Sequence, residues 1–347
     1  MQDELVRRAR TDELGANRAL TSPDRAARVT ALLLAAVVSA ACGASQVPSP
    51  PATTAGSTAT TPASSTPAAS PSTALASPGI SATNMVDIGG RSLYASCLGE
   101  SAPGEPTVVF EHGLGGGAGA WVSTQLAVAE TVRACVYARA GAGPSDPADT
   151  PRTTQDLADD LTVLLARAGI QPPYVFVSHS MGPWVTTLYT VAHPDTVVGL
   201  VFVDPRGPGV TDEWVAALPP QTAGESAALT GMRDFLAEIL VDPPDNPEGL
   251  SIAASEAEVQ AALATDSPLF GDTPLVVLQA GLTPNAWADP AEPAGVAWKA
   301  AWFDGQAALA ATSTAGRLDV VADSGHFIQS DAPSVVVDAI LEVLARR

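Results

Sequence analysis

The amino-acid sequence predicts an α/β fold: a mostly parallel, eight-stranded sheet flanked by helices, formed by residues 82–347. Three observations carry that prediction. From about residue 82 onward, short apolar runs alternate with longer amphipathic stretches, the rhythm of strand and covering helix. The runs are near-continuous in Val, Leu and Ile, so their strands are buried on both faces. Of the 347 residues, 46% are apolar and 16% charged, enough to fill a large core.

The first element is a hairpin: residues 86–88 and 91–98 are hinged by Gly89-Gly90. Residues 106–111 (PTVVFE) and 131–137 (TVRACVY) are the next strands. A helix spans 154–168, where Leu157, Leu161, Leu164 and Leu165 share one face. Strand 174–178, helix 181–193, strand 198–203, strand 275–279, helix 294–311, strand 318–322 and helix 332–344 complete the order. About 70 residues lie between Val203 and Leu275, too many for a bare loop in a compact domain. Their weak helical periodicity predicts a helical cap, about 206–272, inserted between strands six and seven over the sheet's C-terminal edge. Within it, Trp214, Phe235 and Leu236 either line an apolar pocket or pack the cap.

Residues 29–86 contain no charged side chain. Residues 30–41 are apolar or small, too short a run to span a membrane, which takes about 20 residues of helix. Arg25 and Arg28 precede them, as in the positive start of a secretory signal. Ala40-Ala41-Cys42 resembles a bacterial lipoprotein processing site, with Ser39 where that motif prefers Leu. Residues 43–80 are nearly all Ala, Ser, Thr, Pro and Gly and cannot bury enough surface to fold. The expectation is a signal peptide over 1–41, a lipidated Cys42 or a simple cleavage there, a tether to 81, and a folded domain over 82–347. Such a chain is exported, and either anchored by lipid on the extracytoplasmic side of the cell membrane or secreted.

Lys and Arg number 17 against 37 Asp and Glu, a formal charge of −20. Like charge repels such a chain from nucleic acid and from anionic membrane surfaces. Neither is an expected partner, and the expected route to a membrane is the lipid on Cys42. Three cysteines are too few for a disulfide scaffold and lack the spacing of a zinc site. A monomer is expected.

The chemistry is concentrated in one turn. Strand 174–177 runs into Ser178-His179-Ser180-Met181-Gly182 and then into a helix with Pro183 in its first turn. Such a turn holds a serine in a strained backbone conformation and lifts its hydroxyl to a helix N-terminus, where the dipole favours negative charge. The pentapeptide resembles the nucleophile elbow of the α/β-hydrolase family, G-x-S-x-G, with Ser178 in place of the first Gly. His112-Gly113-Leu114-Gly115-Gly116-Gly117, after strand 107–111, looks like that family's oxyanion turn. It ends in neither Gly-Lys-Ser/Thr nor a dinucleotide fingerprint, which argues against phosphate binding. Tyr137-Ala138-Arg139-Ala140-Gly141 resembles the family's Tyr-Asp-Arg-x-Gly, with Ala138 replacing Asp. The resemblance covers residues 82–347.

It implies the α/β-hydrolase fold and a Ser-acid-His order along the chain. Ser180 takes the nucleophile's place, and His326, just past the last strand, the base's. The acid is open between Asp204, which ends strand six, and Asp289, ten residues past strand seven. The backbone N–H groups of Leu114 and Met181 fall at the oxyanion positions. His179, adjacent to Ser180, is expected to point away from the site, and His193 to end a helix. Cys97 on strand two and Cys135 on strand four remain once Cys42 is lipidated, and in an exported protein they are expected to form a disulfide. The resemblance implies a serine hydrolase acting on a small-molecule ester or related acyl substrate, with no metal or cofactor needed for the chemistry. The alternatives are a carbon–carbon or amide bond hydrolase with the same triad, and a non-catalytic binding lipoprotein on a hydrolase scaffold.

Overall fold

The computed structural model describes residues 84–242, 244–264, 268–282 and 289–347. The expected signal segment, Cys42 and the tether lie outside the described residues. Strands β1 (Met85–Asp87), β2 (Ser92–Leu98), β3 (Thr107–Glu111), β4 (Ala134–Tyr137), β5 (Tyr174–His179), β6 (Val197–Val203), β7 (Leu275–Ala280) and β8 (Gly316–Val321) form one sheet in the order β1-β2-β4-β3-β5-β6-β7-β8. The β1/β2 and β2/β4 pairs are antiparallel, and all the others are parallel.

Alternate residues of the central strands feed two cores, which is why their sequences are mostly apolar in succession. On one face Val109, Phe176, Leu200, Phe202 and Val277 meet Leu157, Leu161 and Leu164 of helix α2 (Thr154–Arg167) and Val185 of helix α3 (Gly182–Ala192). On the other face Phe110, Val175, Val177, Val201 and Val276 meet Val128 of helix α1 (Val122–Val128) and Val336, Ile340 and Val343 of a C-terminal helix (Pro333–Arg346). Helix α1 carries no readable signal, because seven residues are too few to establish a period. It shortens the expected fourth strand: Thr131 and Val132 donate to the Val128 carbonyl and close the helix instead of pairing.

The insertion between β6 and β7 holds α4 (Val210–Ala217), α5 (Ala227–Ile239) and α6 (Ile252–Leu263). It is not a uniform cap. Leu250, Ile252 and Val259 belong to the main core. Helices α4 and α5 instead form a third cluster with α7 (Pro293–Ala310), centred on Trp214, Trp298 and Trp302. Trp214 and Leu236 are buried there, so they pack the insertion. Trp214 and Trp298 stack with centroids 4.6 Å apart, and each indole N–H donates to the other's carbonyl, at 3.0 and 2.8 Å. Beyond β8 come α8 (Ile328–Asp331) and α9, the C-terminal helix already described.

Cys97 and Cys135 are direct partners across the β2/β4 ladder and form the expected disulfide, with a Cα–Cα separation of 4.0 Å. The bond closes a loop of 38 residues. By the chain-entropy account, such closure contributes roughly 4 kcal/mol.

Candidate active site

Between β5 and α3 the chain reverses at Ser180, whose φ of 57° lies in the left-handed region. A non-glycine residue there is unfavourable by about 1 kcal/mol or more and persists only when its surroundings impose it. They do so: the Ser180 N–H donates to the Val203 carbonyl at 3.1 Å, and the Arg206 N–H donates to the Ser180 carbonyl at 2.6 Å. Gly182 is required by close approach, since a Cβ there would lie 2.9 Å from Glu111 Cγ and 3.1 Å from two backbone oxygens. Ser178 fits where the family motif has Gly because its buried hydroxyl pairs with Thr186 Oγ1 of α3 at 3.0 Å.

His326 lies in the turn between β8 and α8. Its Nε2 is 3.0 Å from Ser180 Oγ, and its Nδ1 is 2.7 Å from Asp204 Oδ2. Asp204, at φ 40°, is the residue after β6 and is fully buried. Its Oδ1 accepts from the Ala280 N–H at 3.0 Å, from Gln306 Nε2 at 2.7 Å and, at the longer 3.4 Å, from the Trp302 indole N–H. Asp289 makes no such approach: its carboxylate accepts the Ala291 N–H at 2.8 Å and caps its own loop. Of the two candidate acids, Asp204 is the one that faces the imidazole.

The expectation for His179 needs correction. Its ring lies beneath His326, with centroids 4.6 Å apart, and its Nε2–H donates to the His326 carbonyl at 2.9 Å. The side chain supports the loop that carries His326. Asp331 holds the same loop by accepting the Gly325 N–H at 2.9 Å. His193 ends α3, as expected, with Nε2 3.3 Å from Thr162 Oγ1.

Leu114 follows β3 in the glycine turn, and Met181 opens α3. Among the described residues no protein acceptor takes either backbone N–H. A buried ionic cluster that sequence reading did not anticipate lies behind the turn. Arg139 pairs with Glu111 and with Glu248, the second through Nη2 and Oε1 at 2.8 Å. Its Nη1 also donates to the His112 carbonyl at 2.6 Å, and its Nη2 to the Gly113 carbonyl at 2.9 Å. The only hint was the Tyr-x-Arg-x-Gly match, which marked Arg139 without its partners. Gln306 and Glu248 carried no motif at all.

Burial sets the protonation of this region. His112 is used as a neutral ring: Nδ1–H donates to the Gly113 carbonyl at 2.8 Å, and Nε2 accepts the Arg139 N–H at 3.1 Å. Desolvation, with the Arg139 charge nearby, lowers its pKa to about 3. Desolvation likewise holds His179 well below the ordinary histidine value. Both rings bind protons in the unfolded chain near pH 6.5 but stay neutral when folded, so stability is lost as pH falls from 6.5 toward 3. The expected cost is about 1.4 kcal/mol per pH unit for each such histidine. Glu111, raised to about 7 by desolvation, acts oppositely between pH 4.5 and 7. One carboxyl offsets only one of the two rings. Thermal unfolding across this range should show a falling midpoint, and a flat profile from pH 6.5 to 3 would contradict the neutral assignment.

Residues 108–339 match the profile described as "Alpha/beta hydrolase family", and the chain belongs to that family. It is 28% identical over 183 residues to an AB hydrolase superfamily protein of Gibberella zeae, covering 51% of this chain and 53% of that one. It is 27% identical over 146 residues to a (lyso)-N-acylphosphatidylethanolamine lipase of Bos taurus, covering 40% and 42%. The chain thus spans about half, or less, of these relatives' lengths. A solved hydrolase structure from Pseudomonas aeruginosa aligns with a TM-score of 0.51 at 19% identity, over 76% of this chain and 99% of that one, a likeness of fold.

Proposed function

We propose that this protein is a serine hydrolase that cleaves ester or related acyl bonds through an acyl-enzyme. The observation that carries the reading is the continuous line from Ser180 Oγ to His326 Nε2 at 3.0 Å and from His326 Nδ1 to Asp204 Oδ2 at 2.7 Å. In this reading Ser180 Oγ attacks the substrate carbonyl carbon while His326 Nε2 takes its proton. Asp204 fixes the imidazole tautomer and stabilises the imidazolium. The N–H groups of Leu114 and Met181 stabilise the tetrahedral oxyanion, helped by the dipole of α3. The imidazolium returns its proton to the leaving group. The same histidine then draws a proton from water, which attacks the acyl carbon and frees Ser180. Relatives with lipase and putative carbamate hydrolase names favour an acyl substrate of this kind.

A fluorophosphonate probe is expected to label Ser180, and Ser180→Ala to abolish labelling. Folded protein that takes no label would favour the non-catalytic binding reading. Export with a lipid on Cys42 is part of the same proposal. It rests on the amino-terminal sequence, and the Cys97–Cys135 bond accords with an oxidising compartment.

A further inference from the structure

The glycine turn is held from behind by two charged residues distant in sequence, and the way they hold it fixes the direction of one peptide group. A peptide unit is planar and trans, so its C=O and N–H point in opposite directions. The Gly113 carbonyl, which shares its peptide plane with the Leu114 N–H, accepts from Arg139 Nη2 at 2.9 Å, from His112 Nδ1 at 2.8 Å and from the Gly116 N–H at 3.1 Å. With three donors on that oxygen, the plane cannot turn over, and the Leu114 N–H is aimed away from the cluster. The next plane is pinned by its other end: the Gly115 N–H donates to Glu248 Oε1 at 2.9 Å. Leu114 therefore sits between two immobilised peptide groups.

The same two residues act on each other. Glu248 grips Arg139 through both oxygens, at 2.5 and 2.8 Å, and both side chains are buried. Without that carboxylate the guanidinium would have no second anchor opposite Glu111. Glu248 comes from the segment inserted between β6 and β7. That segment reaches the turn because Gly141 has no side chain: a Cβ there would lie 2.0 Å from the Pro247 carbonyl oxygen. A guanidinium on the carbonyl also polarises the peptide, making its N–H a stronger donor.

We propose that Glu248, acting through Arg139 and the Gly115 N–H, is a positioning residue for the Leu114 oxyanion donor, so that the inserted segment forms part of the hydrolytic machinery. The inference rests on the serine hydrolase reading above and deepens it.

The test compares wild type, Glu248→Ala and Glu248→Gln in hydrolysis of a p-nitrophenyl ester and in inhibition by an alkyl trifluoromethyl ketone. Ser180 adds to the ketone carbon, its proton passes to His326, and the resulting oxyanion faces Leu114 and Met181. A non-hydrolysable ether analogue of the ester, which develops no oxyanion, reports ground-state binding. Losing an oxyanion donor outright costs about 100- to 1000-fold, and a loosened one should cost less. We expect Glu248→Ala to lower kcat about 10- to 100-fold and to raise the ketone's inhibition constant by a similar factor, with KM and ether binding nearly unchanged. Glu248→Gln, which keeps an acceptor for Gly115 but loses the charge on Arg139, should fall between. If Glu248→Ala does not fold, Glu248→Gln decides alone, through its kcat and ketone constant. Unchanged kcat and ketone affinity, or equal loss of ketone and ether binding, would overturn the proposal. Wild type that neither reacts with a fluorophosphonate nor binds the ketone would instead overturn the hydrolase reading beneath it.

Discussion

Asp204→Asn is expected to lower turnover about 10⁴-fold while leaving the fold intact. The size of the effect follows from how the carboxylate is held. Oδ1 already accepts from Ala280 N–H and from Gln306 Nε2, with the Trp302 indole behind them. An asparagine must keep its oxygen facing those donors, because its NH₂ group there would meet hydrogens. That turns the new NH₂ toward His326 Nδ1, where it donates. The imidazole must then carry its proton on Nε2, which faces Ser180 Oγ at 3.0 Å and can no longer take the hydroxyl proton. Steady-state hydrolysis of a p-nitrophenyl ester measures this, with Asp289→Asn as the control expected to retain activity. Full activity in Asp204→Asn would remove this residue from the proposed triad.

Arg139→Met should have the largest effect on stability. The substitution conserves much of the volume but deletes the charge shared by Glu111 and Glu248. It also strips a donor from each of two buried carbonyls, those of His112 and Gly113. Breaking one side of a buried ion pair typically costs 3–5 kcal/mol, because the remaining charge stays buried. For a domain of this size that is a fall in Tm of roughly 10 °C. Glu111 can respond by taking up a proton, its pKa already being raised to about 7. Arg139 is what holds that pKa down, so in the variant the carboxyl binds its proton at still higher pH, and the deficit should shrink as pH is lowered toward about 7. Arg139→Lys keeps the charge but not the planar fork, and its Tm should lie between the two. Scanning calorimetry at several pH values reads all three outcomes. An unchanged Tm for Arg139→Met would mean that the cluster contributes nothing to the fold.

What the sequence made legible was local. A strand, a turn with its serine and a helix are contiguous, so residues 174–192 announced their own geometry. The sheet followed from runs such as 174–177 of β5 and 200–203 of β6, apolar in succession because both faces are covered. The disulfide could be expected because strands two and four each carried one leftover cysteine. The acid was ambiguous for a physical reason: β6 and β7 are adjacent parallel strands, and an aspartate following either one approaches the same end of the sheet. What separates them is that Asp204 meets the imidazole while Asp289 turns to the Ala291 N–H. His179 was misjudged because side chains alternate along a strand, but the turn at Ser180 interrupts that alternation. The ionic cluster was invisible because Arg139 and Glu248 are 109 residues apart and belong to no common motif. Gln306 and Asp204, 102 residues apart, were hidden in the same way.

Helix α7 bears a stripe of Trp298, Trp302 and Gln306, four residues apart and so on one side. The first two grip α4 of the insertion, and the last two grip Asp204. One rod thus serves as both bolt and clamp. Swinging α4 outward would unstack buried indoles and break the reciprocal Trp214–Trp298 bonds, and it would pull on the mount of the acid as well. The insertion is fastened to the same helix that holds Asp204, so the seating of α4 and the placement of that carboxylate are mechanically linked.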